Sequence, residues 1–416
     1  MPNETQRLVD YLFDKAAKIT EEIRSKAAAC RQDYLAVAEA GAAKNRKHWE
    51  ALLTRIPDGI AELIGYSKRV DGRTAALING FNAHALELDD GQRFAMIHLG
   101  ASVISAIKAA ADENQADDEA IYTGIIIGYE AACRVAIAMQ PSHKNRGYHT
   151  AGTCGTIGCA AGVAFALGMN KSQLLRVLSC AAGSACGMLE MQAQKSELKP
   201  YNIGRAAEAG LIAAYMGFTD YETPEDMFGG ERGFFSFFAD SWDPEKLTED
   251  TDYFEIERIY VKPYASCRHS HSAVEAAIRL HEGLRVADID SITVRTYRQG
   301  VKGHDHTQIE GVASAKLSTP YAVAAGLLYG RADLSVFEPL DEKLIALAGR
   351  VKVVEDPLLT VQSPRKRIAV VTVRLADQTE RSARVDYAKG EPENPLTEEE
   401  LAEKRRLLLK YTAGNI

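Results

Sequence analysis

Apolar positions in the first 250 residues recur mostly every three or four residues, the spacing that lines one face of an α-helix. The clearest runs are ITEEIRSKAAACRQDYLAVAEAG, GASVISAIKAAADE, DEAIYTGIIIGYEAACRVAIAM, NKSQLLRVLSCAAGSACGML and IGRAAEAGLIAAYMGF, with Gly, Asn or Pro at the breaks between them. Several are apolar almost all round and rich in Ala and Gly, as suits central helices that neighbours approach closely. Near residue 253 the period changes. YFEIERIYVKPY, SITVRTYRQG, RVKVVEDP and RIAVVTVRLADQTERSARVDYAKG show the β-branched alternation of strands, the last as a hairpin turning at Asp377–Gln378. SHSAVEAAIRLHEG and SAKLSTPYAVAAGLLYG read as helices between them, and LTEEELAEKRRLLLKYTA as a charged closing helix. The pattern predicts a mainly α protein, with a large all-helical domain over 1–262 joined by 391–416, and a smaller α/β domain over 263–390.

Composition narrows the function classes. With 416 residues, 46% of them hydrophobic, the chain can bury one large core or two smaller ones. A net charge of −8 and scattered basic residues leave no docking surface for nucleic acid. The start carries acidic residues and no apolar stretch of signal-peptide type, so no secretory leader is expected. The best membrane candidate, IYTGIIIGYEAACRVAIAM, is interrupted by Glu130 and Arg134 and reads as a buried helix, so no membrane partner is expected. Seven cysteines without a CxxC pair point to reduced thiols and a cytoplasmic protein. No GxxxxGK[ST] phosphate loop, GxSxG elbow or HExxH helix is present. GTCGTIGCAAG opens a helix without a preceding strand, which favours a tight helix contact over a dinucleotide loop.

Candidate chemistry gathers at helix starts. His98, His149, Lys199 and His271 each sit just before or at the start of a helix rich in small residues. Helix N-termini present unpaired N–H groups and partial positive charge, so a cation placed there implies a shared anion. Four such placements predict a pocket for an anionic ligand. In HALELDDGQRFAMIHLGAS, Asp89 and Asp90 read by themselves as a solvent-facing helix end; with His84 and His98 they also offer groups of metal-ligand type, though without a clean ligand spacing. His269 is expected to point away from His271, and His48, His143, His281, His304 and His306 read as surface histidines.

Six ordered segments carry a family likeness. They are NGFNAHALELDDGQRFAMIHLGASVISA, GYEAACRV, GYHTAGTCGTIGCAAGVA, GMLEMQAQKSELKPYNIGRAAEAGLIAAYMGF, VKPYASCRHSHSAVEAA and AKLSTPYAVA. Over nearly its whole length the chain resembles the MmgE/PrpD family, which includes 2-methylcitrate dehydratases, cis-aconitate decarboxylases and iminodisuccinate epimerases. The resemblance implies a helical domain with an α/β lid, an active site between them, a homodimer, and a small carboxylate substrate turned over without metal or organic cofactor. It implies a lyase acting by acid–base chemistry next to a carboxylate, with an epimerase of an iminodisuccinate-like acid or a non-catalytic carboxylate-binding dimer as alternatives. The matching catalytic positions are His98, His149, Lys199 and His271, with Asp89 or Asp90 tuning a histidine. Glu87, Lys262, Arg268 and Tyr321 are matching substrate-side positions, and Arg93 and Lys195 are extra cations where relatives often have neutral residues. The family's usual proline after the first histidine is Leu99 here.

Overall fold

The structure, a computed structural model, describes residues 3–193 and 196–414. Its larger core is helical and is built from the periodic runs of the first half. The Thr150–Ala166 helix is buried on nearly every side and packs between the Asp118–Met139 and Lys199–Tyr215 helices. The latter lies against the Gly72–His84 helix, where glycines set the distance. A Cβ on Gly204 would stand 2.2 Å from the Leu77 carbonyl oxygen, and one on Gly80 would stand 3.0 Å from the Gly204 Cα. Only glycine permits this contact.

The Asp118–Met139 helix has the length and apolar composition to cross a membrane, but it is mostly buried inside the protein. Its Glu130 and Arg134 form a buried 2.8 Å ion pair, and Tyr11 donates to Glu130 at 2.6 Å. Charge inside an apolar helix is satisfied here by protein partners.

A second core forms around a four-stranded sheet with strand order Val351–Glu355, Ile289–Thr296, Ala369–Leu375, Glu380–Val385. The first pair is parallel and the others antiparallel. The predicted hairpin turns where expected, with Gln378 in the left-handed region at φ 71° and its N–H bonded to the Leu375 carbonyl. One face of the sheet packs on the His271–His281 and Thr319–Tyr329 helices. SAKLSTPYAVAAGLLYG is two helices rather than one: Ser318 breaks it and caps the second, accepting from the Tyr321 N–H at 3.2 Å, with Pro320 in the first turn. Of YFEIERIYVKPY, only Ile259–Val261 is a strand; a 3₁₀ turn at Glu255–Arg258 precedes it.

Two connections place the functional region. Ile259–Val261 pairs antiparallel with Asp90–Gln92, setting Asp90 opposite Val261. The closing helix, Glu398–Thr412, is capped by Thr397 and Glu400 and lies along Glu21–Leu53. Its Lys404 reaches Asp33 at 2.6 Å and the Leu88 carbonyl at 2.9 Å, while Leu408 enters the second core.

Candidate active site

The Gly72–His84 helix ends at a histidine whose ring faces inward, and the chain then turns sharply. Glu87 sits in the left-handed region at φ 56°, a conformation that costs a non-glycine residue on the order of 1 kcal/mol. Its carboxylate is held by two ammonium groups: Lys262 at 2.9 Å and Lys199. Lys262 also donates to Asp89 at 3.0 Å, which follows from the strand register that puts Val261 beside Asp90. Burial alone would raise the pKa of both carboxylates. Lys199 and Lys262 outweigh it at Glu87, and His84 and Lys262 at Asp89, so both stay well below the usual carboxylate range. Lys262 is fully buried and its pKa is raised, the two carboxylates outweighing its own desolvation.

Asp89 and Asp90 are therefore not a solvent-facing helix end: both are buried, because the strand pairing draws them inside. They do different work. Asp90 caps the Gly100–Asn114 helix, accepting from the Gly100 N–H at 2.8 Å and the Leu99 N–H at 3.3 Å, and it accepts from Tyr129 Oη at 2.6 Å. Asp89 instead orients two imidazoles. Its Oδ2 accepts from His84 Nδ1 at 2.7 Å and lies 3.3 Å from His98 Nδ1, which is also 3.1 Å from the Asp90 carbonyl. These bonds assign the proton of His98 to Nδ1 and leave Nε2 free to accept. The loop leading to His98 is a tight hairpin closed by paired Gln92–Ile97 backbone bonds, with Met96 in the left-handed region at φ 52°.

His98 lines a cavity together with His149, Lys199, Lys144, Arg268, His269 and Arg367. His149 is the N-cap residue of Thr150–Ala166, and Lys199 begins its helix, as the helix-start pattern predicts. Burial, reinforced by Lys262, pushes His98 down to about 4 despite Asp89. Burial and Lys199 hold His149 well below the usual histidine range. Both rings are thus neutral at pH 7, and among the described residues His149 Nδ1 has no hydrogen-bond partner. Burial and Arg367 lower Lys144 to about 8. Among the described residues, neither Lys144 nor Arg367 has a carboxylate within ion-pair distance; Lys144 lies 3.3 Å from His269 Nε2, and Arg367 donates to the Arg93 carbonyl at 3.1 Å. The cavity carries a surplus of positive charge beside uncharged imidazoles.

The structure does not bring every expected residue to this cavity. His271 starts its helix as predicted but is fully buried off the cavity wall. Its Nε2 lies 3.0 Å from the Ser266 carbonyl and its Nδ1 accepts from Arg268 at 2.9 Å, so it steers that guanidinium. His269 faces the cavity instead, because two residues along a helical turn reverse the direction of a side chain. Tyr321 is buried in the second core, its hydroxyl donating to the Val336 carbonyl at 3.1 Å. The charge of Arg93 is taken up by Glu391 at 2.8 Å and by Glu393. Glu391 also holds Arg268 at 2.7 Å. Lys195 lies outside the described residues.

His143 and His304 are buried rather than on the surface, each covered by contacts from distant segments. Sequence reading missed Lys144, Arg367, Cys267 and His304 as cavity residues. Their local contexts, SHKN, SPRKR and KGHDH, resemble polar loops, and only the RHSH run signalled a cluster.

Three groups have ligand atoms within 4.8 Å of one another: His84, Asp89 and His98. Both rings turn Nδ1 to one oxygen of Asp89, and the Lys262 ammonium holds the other. A divalent cation bound there would sit against that ammonium, so the chemistry of the set suits an orienting carboxylate rather than a metal centre.

Comparison with known proteins finds relatives of this chain. The chain is 26% identical over 310 residues to a cis-aconitate decarboxylase-like protein of Aspergillus oryzae, covering 68% of this chain and 64% of that protein. It is 26% identical over 326 residues to a cis-aconitate decarboxylase of Aspergillus terreus, covering 72% and 66%. It is 29% identical over 256 residues to a 2-methylcitrate dehydratase of Cupriavidus necator, covering 54% and 49%. The chain thus matches less than two-thirds of the length of these relatives. Residues 6–247 match the MmgE/PrpD N-terminal domain and residues 264–415 the MmgE/PrpD C-terminal domain; the chain belongs to the MmgE/PrpD family.

Proposed function

We propose that the protein is a lyase acting on a small di- or tricarboxylic acid by proton transfer at a carbon next to a carboxylate, as the names of its decarboxylase and dehydratase relatives suggest. The observation that carries this reading is the cavity itself: cations that, among the described residues, have no carboxylate partner stand beside two neutral imidazoles, one of them oriented by Asp89. Decarboxylation leaves an electron pair on the carbon that loses CO2, and that carbon must then be protonated. Dehydration removes a proton next to a carboxylate and expels hydroxide, which takes up a proton as water. Both pass through an enolate-like charge that fixed cations stabilise.

In this reading Arg268, Arg367 and Lys144 hold substrate carboxylates, and Lys199 adds positive charge while Glu87 orients it. His98, with its Nδ1–H directed by Asp89, takes or returns a proton through Nε2; His149 serves the opposite face. His271 and Glu391 position Arg268. The helical part supplies His98 and His149 and the part beyond residue 263 supplies Arg268 and Arg367, which supports a division into 1–262 with 391–416 and 263–390, the latter acting as a lid. A homodimer acting on a small carboxylate completes the proposal.

The test is incubation with cis-aconitate, 2-methylcitrate, citrate and iminodisuccinate in D2O, followed by proton NMR. Loss of CO2 or formation of an alkene is expected on at least one acid, and His98→Gln and His149→Gln are expected to slow it by about 10²–10⁴. Deuterium exchange without net conversion would make the protein an epimerase. Silence on all four acids, or near-normal turnover by both variants, would overturn the reading.

A further inference from the structure

The lid-side wall of the cavity holds a thiol and an imidazole that the proposed lyase chemistry does not use. Cys267 Sγ and His304 Nε2 are 3.8 Å apart, and both line the cavity with Lys199, Arg268 and Arg367. Each is fixed by backbone bonds. The Cys267 N–H donates to the Lys316 carbonyl at 2.8 Å, and the Thr319 N–H donates to the His304 carbonyl at 2.8 Å. His304 Nδ1 lies 3.0 Å from the Leu317 carbonyl, which places its proton on that nitrogen and turns Nε2 to the thiol as a base.

Among the described residues, no other cysteine has such an arrangement. Burial raises Cys30 and Cys133 well above the usual thiol value, raises Cys180, and pushes Cys154 and Cys159 up to about 12. Burial would do the same at Cys267, but His304, helped by Lys199 and opposed by Glu87, brings it down to about 6. Burial acts against charge on His304 too, and Lys144 opposes it further, yet the thiolate raises its pKa. The pair therefore favours thiolate and imidazolium in a cavity already rich in cations.

We propose that the Cys267–His304 pair is a covalent modification site for small anionic electrophiles, above all α,β-unsaturated carboxylates. The reading of the cavity as a carboxylate site supplies the anion selectivity. In the step, Sγ attacks the β-carbon and an S–C bond forms. The C=C π pair moves to the α-carbon as an enolate facing Lys199 and Arg268. The proton on the His304 imidazolium then goes to the α-carbon, leaving a thioether and neutral histidine, with no oxidant or reductant consumed. A lyase that makes such an acid would be blocked by its own product, because the adduct keeps a carboxylate where substrate must bind.

The experiment alkylates the full chain at pH 7 with iodoacetate or iodoacetamide, and separately with acrylate, and maps each cysteine by peptide mass spectrometry. Exposed Cys186 serves as the internal reference. Cys267 is expected to react with iodoacetate at least about tenfold faster, relative to iodoacetamide, than Cys186 does, and to gain one acrylate. His304→Gln is expected to slow Cys267 and move its pH midpoint up towards the ordinary thiol value of about 8.5, with buried Cys154 and Cys159 staying unlabelled as the check on folding. Cys267 unmodified when Cys186 is complete, or an iodoacetamide preference at Cys267, would overturn the proposal. Labelling without turnover on any acid removes the lyase reading and keeps this one; turnover without labelling does the reverse.

Discussion

Lys262 shows how much can depend on one side chain. It is fully buried, 2.9 Å from Glu87 and 3.0 Å from Asp89, so its charge exists only because two carboxylates share it. Removing one partner of a buried charge cluster leaves the others unpaired, a loss of about 3–5 kcal/mol. Lys262→Met keeps most of the volume and is expected to lower the unfolding free energy by that amount in a denaturant titration. A change under about 1 kcal/mol would mean that the two carboxylates reorganise onto Lys199. Nothing around Lys262 in the sequence announces this role: VKPY reads as the end of a strand, and its partners lie 175 and 173 positions away. Glu87 and Asp89 were legible as part of an acidic cluster, but their burial was not, since a run of acids at a helix end is ordinarily solvated.

At the level of elements, helix ends explain which groups reach the cavity. Asp90 occupies the start of the Gly100–Asn114 helix, and Gly100 makes room for it: a Cβ there would stand 2.8 Å from Tyr129 Oη and 3.1 Å from Asp90 Oδ2. His98 consequently sits just outside a helix already capped by a carboxylate. The Lys199 helix is located in the same way by Gly204, five residues on. Gly204→Ala would gain helix propensity of about 1 kcal/mol. The 2.2 Å approach to the Leu77 carbonyl forces the helices apart, and overpacking of this kind costs about 1–3 kcal/mol. Thermal unfolding is expected at lower temperature, together with weaker substrate binding as Lys199 moves from Glu87. A variant as stable as the parent would show that this contact is not tight. Helix starts at His149, Lys199 and His271 were readable from composition, because caps and small-residue runs act locally. The rotation of each side chain about its helix was not, and that separates His269 from His271.

For the whole molecule, buried neutral histidines set an acid limit. His98 and His143 are lowered to about 4, mainly by burial, and His149, His269 and His271 lie well below their ordinary value for the same reason. An unfolded histidine binds its proton near pH 6.5, so between that pH and about 4 the unfolded chain holds more protons than the folded one. Their contribution is complete above pH 6.5 and is lost as pH falls. The lowered carboxylates Glu87 and Asp89 act in the same direction further down. Asp90, raised to about 6 by burial, opposes them, since it stabilises the fold as pH falls below 6. Burial raises Glu255 and Glu4 in the same sense as Asp90, but the five lowered imidazoles outnumber these three carboxyls and predict a melting temperature that drops from pH 6.5 to 4, measurable by calorimetry. A flat profile across that window would mean that these rings are charged in the folded protein.

The order of helices, the change of period near residue 253, the hairpin at Asp377–Gln378 and the capped closing helix were set by local sequence, because periodicity, capping and turn chemistry act over a few residues. The candidate histidines at helix starts belong to that class. Tertiary structure alone decided that Asp89 would be shared by His84, His98 and Lys262, that Arg93 would be neutralised by Glu391 and Glu393, and that Cys267 would meet His304. Lys262, Glu391, Glu393 and His304 come from segments tens to hundreds of residues away from the groups they meet, and the electrostatics of each set depend on how deeply packing removes each group from water.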